Sequence, residues 1–366
     1  MDHLTTPYGE ITLERYPPRQ DDPLRAYDAA DGYLLDEVAE RHPEARSVLV
    51  VGDRHGALTT ALAGTAEVTT WADSALSRQA TAANLATNGV TADIVDSLPS
   101  RDFDLVLVRP GKARALLAEQ LHHAGDAVRE GTPVVLGEMV KHLGRWMTDV
   151  LEDHIGPTSA SLAHRKARLL RAERDSKYAE APAWTSYEGP QGIELHNAPG
   201  TFAASGVDAG SQLLLQSLPD DLGSARVADL GCGNGVLAIG SALRNPDASY
   251  LLVDESAAAV ASAARSWEAN LPGRPVDIVH GDGLHDAPEA SLDVVLCNPP
   301  FHAGTTVDEW IGQRLLEQAH RALRPGGSLY VVANRHLNHH RYLRHAFDTV
   351  EVLASNPKFS VLRAVR

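Results

Sequence analysis

The chain has 366 residues, 43% of them hydrophobic, which suggests two or three domains with sizeable cores. Its net charge of −15 argues against a protein that coats nucleic acid over its whole surface, because phosphate binding relies on Lys and Arg. Any contact with nucleic acid must therefore come from local basic patches. No apolar run approaches the ~20 residues of a membrane span, no signal peptide is visible, and two cysteines exclude a disulfide scaffold. We therefore expect a cytoplasmic protein.

The first half of the chain alternates β-branched runs with helical patterns. Residues 1–30 are rich in Pro and Asp and are expected to be irregular, and a short helix is predicted over residues 31–41. Strands separated by helices are predicted at residues 47–51, 67–71, 92–95, 102–108 and 133–136. This alternation predicts a doubly wound parallel sheet.

The same order returns in the second half. Strands are predicted at residues 226–230, 250–253, 276–279, 291–297 and 328–333, followed by a closing hairpin of residues 350–353 and 359–365. Because four punctuated strands recur in matched order, we interpret the chain as one α/β unit duplicated. Generic α/β similarity without duplication is the alternative.

The two copies differ where their strands end. The second has Gly-Cys-Gly-Asn-Gly at 231–235 where the first has Gly-Asp-Arg-His-Gly at 52–56. The second has Asn-Pro-Pro-Phe at 298–301 where the first has Arg-Pro-Gly-Lys at 109–112. We infer a catalytic C-terminal half and a degenerate N-terminal half kept for scaffolding or substrate binding.

The predicted domains are a degenerate unit (1–158), a basic junction (159–194) and a catalytic unit (195–366). The junction contains a strongly basic stretch at residues 164–174, with four Arg and one Lys in an acidic protein. It is either a solvated helix face, the usual place of a charge run, or a patch that contacts phosphate.

A rigid corner is predicted at residues 294–302. The apolar run from Val294 to Cys297 indicates a buried parallel strand, and Pro299 and Pro300 forbid its continuation. The Asn298 amide, a proline carbonyl and an aromatic face then stand together. These groups could hold a flat amino-bearing group, and a Pro-rich turn without function is the alternative.

A glycine-rich turn that opens a helix suits a charged ligand, and a carboxylate ending the next strand, here Asp254, suits a ribose. Both features fit either a dinucleotide or S-adenosylmethionine. The dinucleotide fingerprint requires glycine where Val236 stands, which disfavours a dehydrogenase.

With Asp229 before the turn, Asp282 after the third strand and the closing hairpin, the pattern resembles the class I methyltransferases. The expected fold is therefore two tandem class I methyltransferase-like, Rossmann-like doubly wound sheets, the first degenerate. The resemblance implies S-adenosylmethionine as cofactor, with Asp254 at the ribose and Asp282 at the adenine amino group. The residues that it places around the methionine part are Asp229, Gly231, Cys232 and Gly233, with Asn298 beside the methyl group.

The Asn-Pro-Pro-Phe corner resembles that of amino methyltransferases acting on adenine, guanine or glutamine nitrogens. The Asn298 oxygen and the Pro299 carbonyl can accept the two N–H bonds of a conjugated amino group, which builds electron density on its nitrogen and aligns it. Pro300 stiffens the corner, and Phe301 can stack on the base. This chemistry requires neither a Ser or Cys nucleophile nor a metal.

Four further segments, combined with the corner at residues 294–302, resemble a more specific group of enzymes. These segments are Pro199–Phe202, Asp208–Leu215, Ala333–Leu337 and Lys358–Ala364. This combination is similar to the bacterial ribosomal RNA guanine-N2 methyltransferases of the small- and large-subunit type. It implies N2-methylation of a flipped guanine, with ribosomal RNA or a ribosomal subunit as partner. It also implies that Phe202, His302 and Arg335 contact the substrate and that Asp208 caps a helix over the cofactor.

Several alternatives remain open. The target could be a protein glutamine or a small-molecule amino group, although the glutamine type usually has Tyr where Phe301 stands. The chain could instead be a non-catalytic RNA-binding assembly factor, against which the intact corner argues. The His- and Arg-rich stretch at residues 333–347 indicates RNA phosphate contact or a solvated helix rather than a metal site.

Overall fold

The computed structural model describes residues 1–19, 23–100, 102–176, 179–299, 306–334 and 339–366. Contacts within the chain divide it into two compact units, Met1–Ala183 and Trp184–Arg366. Within the described ranges, every helix is too short or too polar to cross a membrane.

The first unit is a seven-stranded sheet with helices, preceded by a hairpin. Its elements are β1 (Asp2–Thr6), β2 (Gly9–Leu13), α1 (Ala29–Arg41), β3 (Ser47–Val51), α2 (Ala57–Leu62), β4 (Glu67–Trp71), α3 (Ala75–Asn88), β5 (Asp93–Val95), β6 (Leu105–Val108), α4 (Arg114–Asp126), β7 (Pro133–Met139), α5 (Arg145–His154), β8 (Thr158–Ala160) and β9 (Ala167–Glu173). The sheet order is β5-β4-β3-β6-β7-β9-β8, with β9 antiparallel to both of its neighbours.

The hairpin of β1 and β2 corrects the expectation that residues 1–30 are irregular. Two side chains of α3 hold it: the Asn88 amide bonds both the N–H and the C=O of Thr12, and the Asn84 oxygen accepts from the N–H of Glu14. Isolated two-stranded hairpins are marginally stable, so this one depends on tertiary contacts that local sequence does not reveal.

The interpretation of the basic stretch at residues 164–174 as a helix face was wrong, and phosphate contact by this stretch stays a prediction. Most of it is β9, an internal strand of the first sheet between β7 and β8. Leu169 and Leu170 are at most 2% exposed, and Arg171 pairs with Glu37 of α1. The first unit therefore extends into the predicted junction as far as Ala183, and the remaining residues of that junction belong to the second unit.

The second unit repeats the architecture. Its elements are β10 (Thr185–Glu188), β11 (Glu194–Asn197), α6 (Ala209–Leu215), β12 (Arg226–Leu230), α7 (Val236–Ala242), β13 (Ser249–Asp254), α8 (Ala257–Asn270), β14 (Asp277–His280), β15 (Leu292–Cys297), α9 (Thr306–Ala322), β16 (Leu323–Asn334), α10 (His339–Ala346), β17 (Thr349–Ser355) and β18 (Phe359–Val365). The sheet order is β14-β13-β12-β15-β16-β18-β17.

The two large sheets have the same strand order and the same pattern of parallel and antiparallel pairs. This confirms the predicted tandem of doubly wound α/β units. In the second sheet, β12 and β15 are parallel neighbours, and Leu230 is in register with Cys297. Residues 294–297 are at most 5% exposed, as expected for a strand covered on both faces. The chain segments that leave β12 and β15 therefore start side by side.

Candidate active site

The glycine-rich turn follows β12 and begins α7. The N–H groups of Gly231 and Cys232 both donate to the Val253 carbonyl, at 2.9 and 3.0 Å, which fixes the turn against the end of β13. Gly231 and Gly233 have φ of +76° and +55°, a region that L side chains rarely adopt, and a Cβ added at either would meet nothing within 4 Å. Backbone conformation therefore requires glycine at both positions, and both leave open space for a ligand.

Asp254 ends β13 and faces this turn. Its Oδ2 accepts from the N–H of Gly233 at 2.9 Å, and its Oδ1 accepts from the N–H of Ser256 at 3.0 Å. These bonds fix the orientation of both oxygens. The carboxylate therefore has a defined position at the edge of the turn.

Asp229 lies beneath the turn and is fully buried. Its Oδ2 accepts from the N–H of Ala238 in the first turn of α7, at 3.0 Å. Its Oδ1 is buried and accepts no hydrogen bond from the residues that the structure describes. Burial raises the pKa of this carboxyl to about 7, which the bond from Ala238 opposes only in part.

Asp282 follows β14 and is 3% exposed. Both of its oxygens are bound by the guanidinium of Arg314 on α9, Oδ1 at 2.6 Å from Nη1. Gln318 of the same helix donates to the Asp282 carbonyl and accepts from the N–H of Leu284, so α9 holds both the side chain and the backbone of this loop. The Asp282 carboxylate is therefore already engaged by Arg314, a partner that sequence reasoning missed.

Asn298 directly follows β15, and its side-chain amide is bound by residues at the start of α6. Its Nδ2 donates to both oxygens of Asp208, each at 3.2 Å, and to Oγ of Ser211 at 2.9 Å. Asp208 also caps α6, as expected, by accepting from the N–H groups of Gly210 and Ser211. The Asn298 Oδ1 is buried and without a hydrogen-bond partner among the described residues. The contact of Asp208 and Ser211 with Asn298 was not predicted.

A small cleft of about 50 Å³ lies between the glycine-rich turn and the Asn298 amide, and Asp229, Asp254 and Asp282 are not among the residues that line it. The predicted residues that line it are Phe202, Gly231, Cys232, Gly233 and Asn298. The Phe202 side chain is 67% exposed. Pro299, the residue that follows Asn298, is buried. The predictions for Pro300, Phe301, His302 and Arg335 lie outside the described residues.

Comparisons with known proteins identify the family of the chain. The family models described as RLMG N-terminal domain and Methyltransferase small domain match residues 1–176 and 192–363. Ribosomal RNA large subunit methyltransferase G of Pseudomonas putida (strain GB-1) is 48% identical over 373 aligned residues, which cover 100% of both chains. The protein of that name from Pseudomonas fluorescens (strain Pf0-1) is 47% identical, again over 100% of both chains.

The chain belongs to the ribosomal RNA large subunit methyltransferase G family. It is therefore an enzyme, a methyltransferase, and the family resemblance of the sequence is confirmed. A solved T. thermophilus 16S rRNA N2 G1207 methyltransferase, in complex with AdoMet and guanosine, superimposes with a TM-score of 0.80 at 24% identity, covering 100% of this chain and 97% of that one. This likeness shows the same tandem fold.

In this methyltransferase the N-terminal sheet carries an ion network where the second sheet carries its cleft. Arg109, the counterpart of Asn298, is 2% exposed and donates to Asp28 at 2.7 Å and to the Gly137 carbonyl at 2.6 Å. Its Nε lies 2.9 Å from the Asp31 carboxylate. Arg54, the counterpart of Gly233, pairs with Glu138 at 2.6 Å. Charged side chains thus occupy the degenerate site.

The raised pKa of Asp229 gives the enzyme a testable pH dependence. The folded state holds a proton at Asp229 up to about pH 7, whereas the unfolded chain releases it near pH 3.8, so this group's contribution to stability falls as pH rises between these values. Asp229→Asn keeps an acceptor for Ala238 and removes the titration. We expect the melting temperature of the variant, relative to the parent, to be higher at pH 8 than at pH 5 by at least ~2–4 °C.

Thermal unfolding followed by circular dichroism at the two pH values measures this difference. Asp293→Asn, at a partly exposed carboxylate in the same unit, is the control. An equal difference at both pH values for Asp229→Asn would show that the carboxyl titrates normally.

Proposed function

We propose that this enzyme transfers the methyl group of S-adenosylmethionine to N2 of a guanine in large-subunit ribosomal RNA. The observation that carries the proposal is the Asn298 amide, whose two N–H groups are taken by the protein while its oxygen is left as an acceptor beside the glycine-rich turn. The name of the relatives supports ribosomal RNA of the large subunit as the substrate.

The residues present suit the cofactor. The turn leaves open space at Gly231 and Gly233, Asp254 presents a fixed carboxylate for ribose hydroxyls, and Asp229 keeps an unpartnered oxygen beneath the turn. When bound, S-adenosylmethionine supplies an electrophilic methyl group on a sulfonium. We expect the carboxylates of Asp229 and Asp254 to favour this cation, and Asp282, held by Arg314, to keep lone pairs for the adenine amino group.

The corner explains how a weak nucleophile reacts. The lone pair of the guanine amino group is delocalised into the ring, so the group attacks poorly without help. The Asn298 oxygen and the Pro299 carbonyl each accept one of its N–H bonds, which returns electron density to nitrogen and fixes its approach. The N–C bond forms as the S–C bond breaks, and the extra proton then leaves to solvent.

The guanine must leave its stack to reach this buried corner. Phe202, exposed at the cleft, is suited to contact the extruded base. Because the enzyme carries a net charge of −15, contacts with RNA phosphates must be local rather than spread over the surface.

Methyl transfer from labelled cofactor tests the proposal. The enzyme is incubated with naked ribosomal RNA, isolated ribosomal subunits and a protein extract, and the products are identified by nucleoside mass spectrometry. We expect N2-methylguanosine in large-subunit RNA, and at least ~10²–10³-fold slower formation of it with Asn298→Ala. Label in another nucleoside, in protein or only in small molecules would contradict the proposal.

A further inference from the structure

The amide of Asn298 is bound on its donor side by two residues of one short helix. Asp208, which caps α6, offers both carboxylate oxygens at 3.2 Å, and Ser211 offers its hydroxyl oxygen at 2.9 Å. An amide NH2 group has two hydrogens, so these acceptors account for its whole donor capacity. Helix α6 therefore determines how the amide lies.

This contact also determines which of the two orientations of the Asn298 amide, related by exchange of Oδ1 and Nδ2, is favoured. A carboxylate only accepts, so rotating the Asn298 amide by a half-turn would bring Oδ1 against the oxygens of Asp208, and the NH2 group would lose its partners. Leaving buried polar groups unpaired is unfavourable, because they lose their bonds to water without gaining others. The rotated state is thus disfavoured, and Oδ1 stays directed away from Asp208.

Gly210 is one of the two residues between Asp208 and Ser211. A Cβ added there would lie 3.0 Å from the Oδ1 of Asp208, 3.2 Å from the Oδ1 of Asn298 and 3.2 Å from Val332. A larger residue at this position would crowd the Asn298 oxygen. Asp208, Gly210 and Ser211 therefore all border this one amide.

We propose that Asp208 and Ser211 are positioning residues that hold Asn298 with its oxygen as the acceptor for the methylated amino group. This inference rests on the proposed function, in which Asn298 accepts an N–H bond from guanine. It goes beyond helix capping, because in this proposal the Asp208 carboxylate also orients the catalytic Asn298 amide.

The two tasks of Asp208 can be separated. Both capping bonds, from Gly210 and Ser211, go to its Oδ1, whereas the bond to Oδ2 comes from Asn298, which also donates to Oδ1. Asp208→Asn keeps the capping oxygen, and Asn caps helices as well as Asp does. It places an NH2 group where Oδ2 stood, facing the NH2 group of Asn298. We expect the Asn298 amide to turn or shift, while α6 remains capped.

The reciprocal change gives a rescue. Asn298→Asp alone sets two carboxylates against each other at Asp208. Combining Asp208→Asn with Asn298→Asp restores one donor facing one acceptor with the polarity reversed, and leaves a carboxylate oxygen at residue 298 to accept the target N–H. A residue that only capped α6 would not produce this recovery.

The experiment compares the parent, the two single variants and the double variant. We expect each single variant to lower kcat by ~10²-fold, the loss that misplacement of a reacting group can cause, with the cofactor Kd within ~3-fold of the parent. The double variant should recover at least ~10-fold over either single variant. If the loss of kcat in the double variant equals the product of the losses in the two single variants, the proposal is overturned.

Two further variants complete the design. Ser211→Ala removes one acceptor of the Asn298 amide and should lower kcat by ~10-fold with little change in KM for RNA. Ser74→Ala removes the cap of α3 in the first unit and should lower stability without changing kcat. If Ser211→Ala changes kcat no more than Ser74→Ala does, Ser211 does not position Asn298.

Failure of the positioning inference is distinguishable from failure of the proposed function. Total label in RNA tests the rescue whichever base is methylated, whereas nucleoside mass spectrometry tests guanine N2. If the parent transfers no methyl group to RNA, the same four proteins are compared by thermal unfolding. The paired substitutions should then be less destabilising than the sum of the single ones, and additive losses would overturn the contact itself.

Discussion

Asn298→Ala should lower methyl transfer to ribosomal RNA by at least ~10²–10³-fold, the loss seen when a preorganised polar group at a reaction centre is removed. The substitution deletes the acceptor that aligns the target amino group and also frees Asp208 and Ser211 from their partner. Because the glycine-rich turn and Asp254 do not depend on Asn298, the cofactor should still bind. Single-turnover rates and calorimetric cofactor binding measure the two effects separately.

Asp254→Ala is the matched control, and its pattern should be the reverse. It removes the carboxylate that holds the N–H groups of Gly233 and Ser256, so cofactor affinity should fall. The first unit already carries alanine at the corresponding position, Ala72, which follows the strand end at Trp71. Equal turnover by Asn298→Ala and the parent would refute the mechanism, whatever happens to cofactor binding.

The sequence predicts the large sheets well because their signals are local. Parallel strands buried on both faces appear as short apolar runs, and Gly or Pro marks where each run ends. The run at residues 294–297 and the turn at residues 231–235 both fell where the structure has them. Their adjacency followed from the topology of a doubly wound sheet, in which neighbouring parallel strands end at the same edge.

The missed features depend on partners far apart in the chain. Asp282 meets Arg314 across 32 positions, and Asn298 meets Asp208 across 90. No periodicity links such pairs, so their contacts need tertiary structure. Strand β9 was missed for another reason: its arginines at 168 and 171 obscured the buried Leu169 and Leu170 between them.

Arg109→Met should destabilise the first unit by about 3–5 kcal/mol, the cost of breaking a buried ion pair by removing one partner. Burial disfavours the charge of Arg109, but Asp31, Asp28 and Glu138 outweigh it and raise the pKa of the guanidinium. Met is similar in length and leaves these carboxylates without their cation. Hydrogen exchange of the β6 and β7 amides reports on this unit alone, and we expect it to accelerate by ~10²-fold or more.

The loss should also depend on pH. Burial already raises the pKa of Asp31 to about 6, and the attraction of Arg109 limits that rise. Without Arg109 the folded state binds protons still more tightly, so its stability falls as pH rises above the unfolded pKa of about 3.8. Arg109→Met should therefore be less harmful at pH 5 than at pH 8. Exchange measured at both pH values, corrected for its intrinsic pH dependence, tests the sign.

Arg129→Met is the matched control, since Arg129 pairs with Asp102 while its side chain is 77% exposed. Exposed pairs contribute about 0–1 kcal/mol, so this variant should behave like the parent. If both variants lose equally little, the network at Arg109 is dispensable. A large loss of stability for Arg109→Met alone would show that the first unit depends on the ion network that lies where the second unit has its cleft. Replacing Arg109 by Asn and Arg54 by Gly, as in the second unit, would then also require removal of the carboxylates that face them.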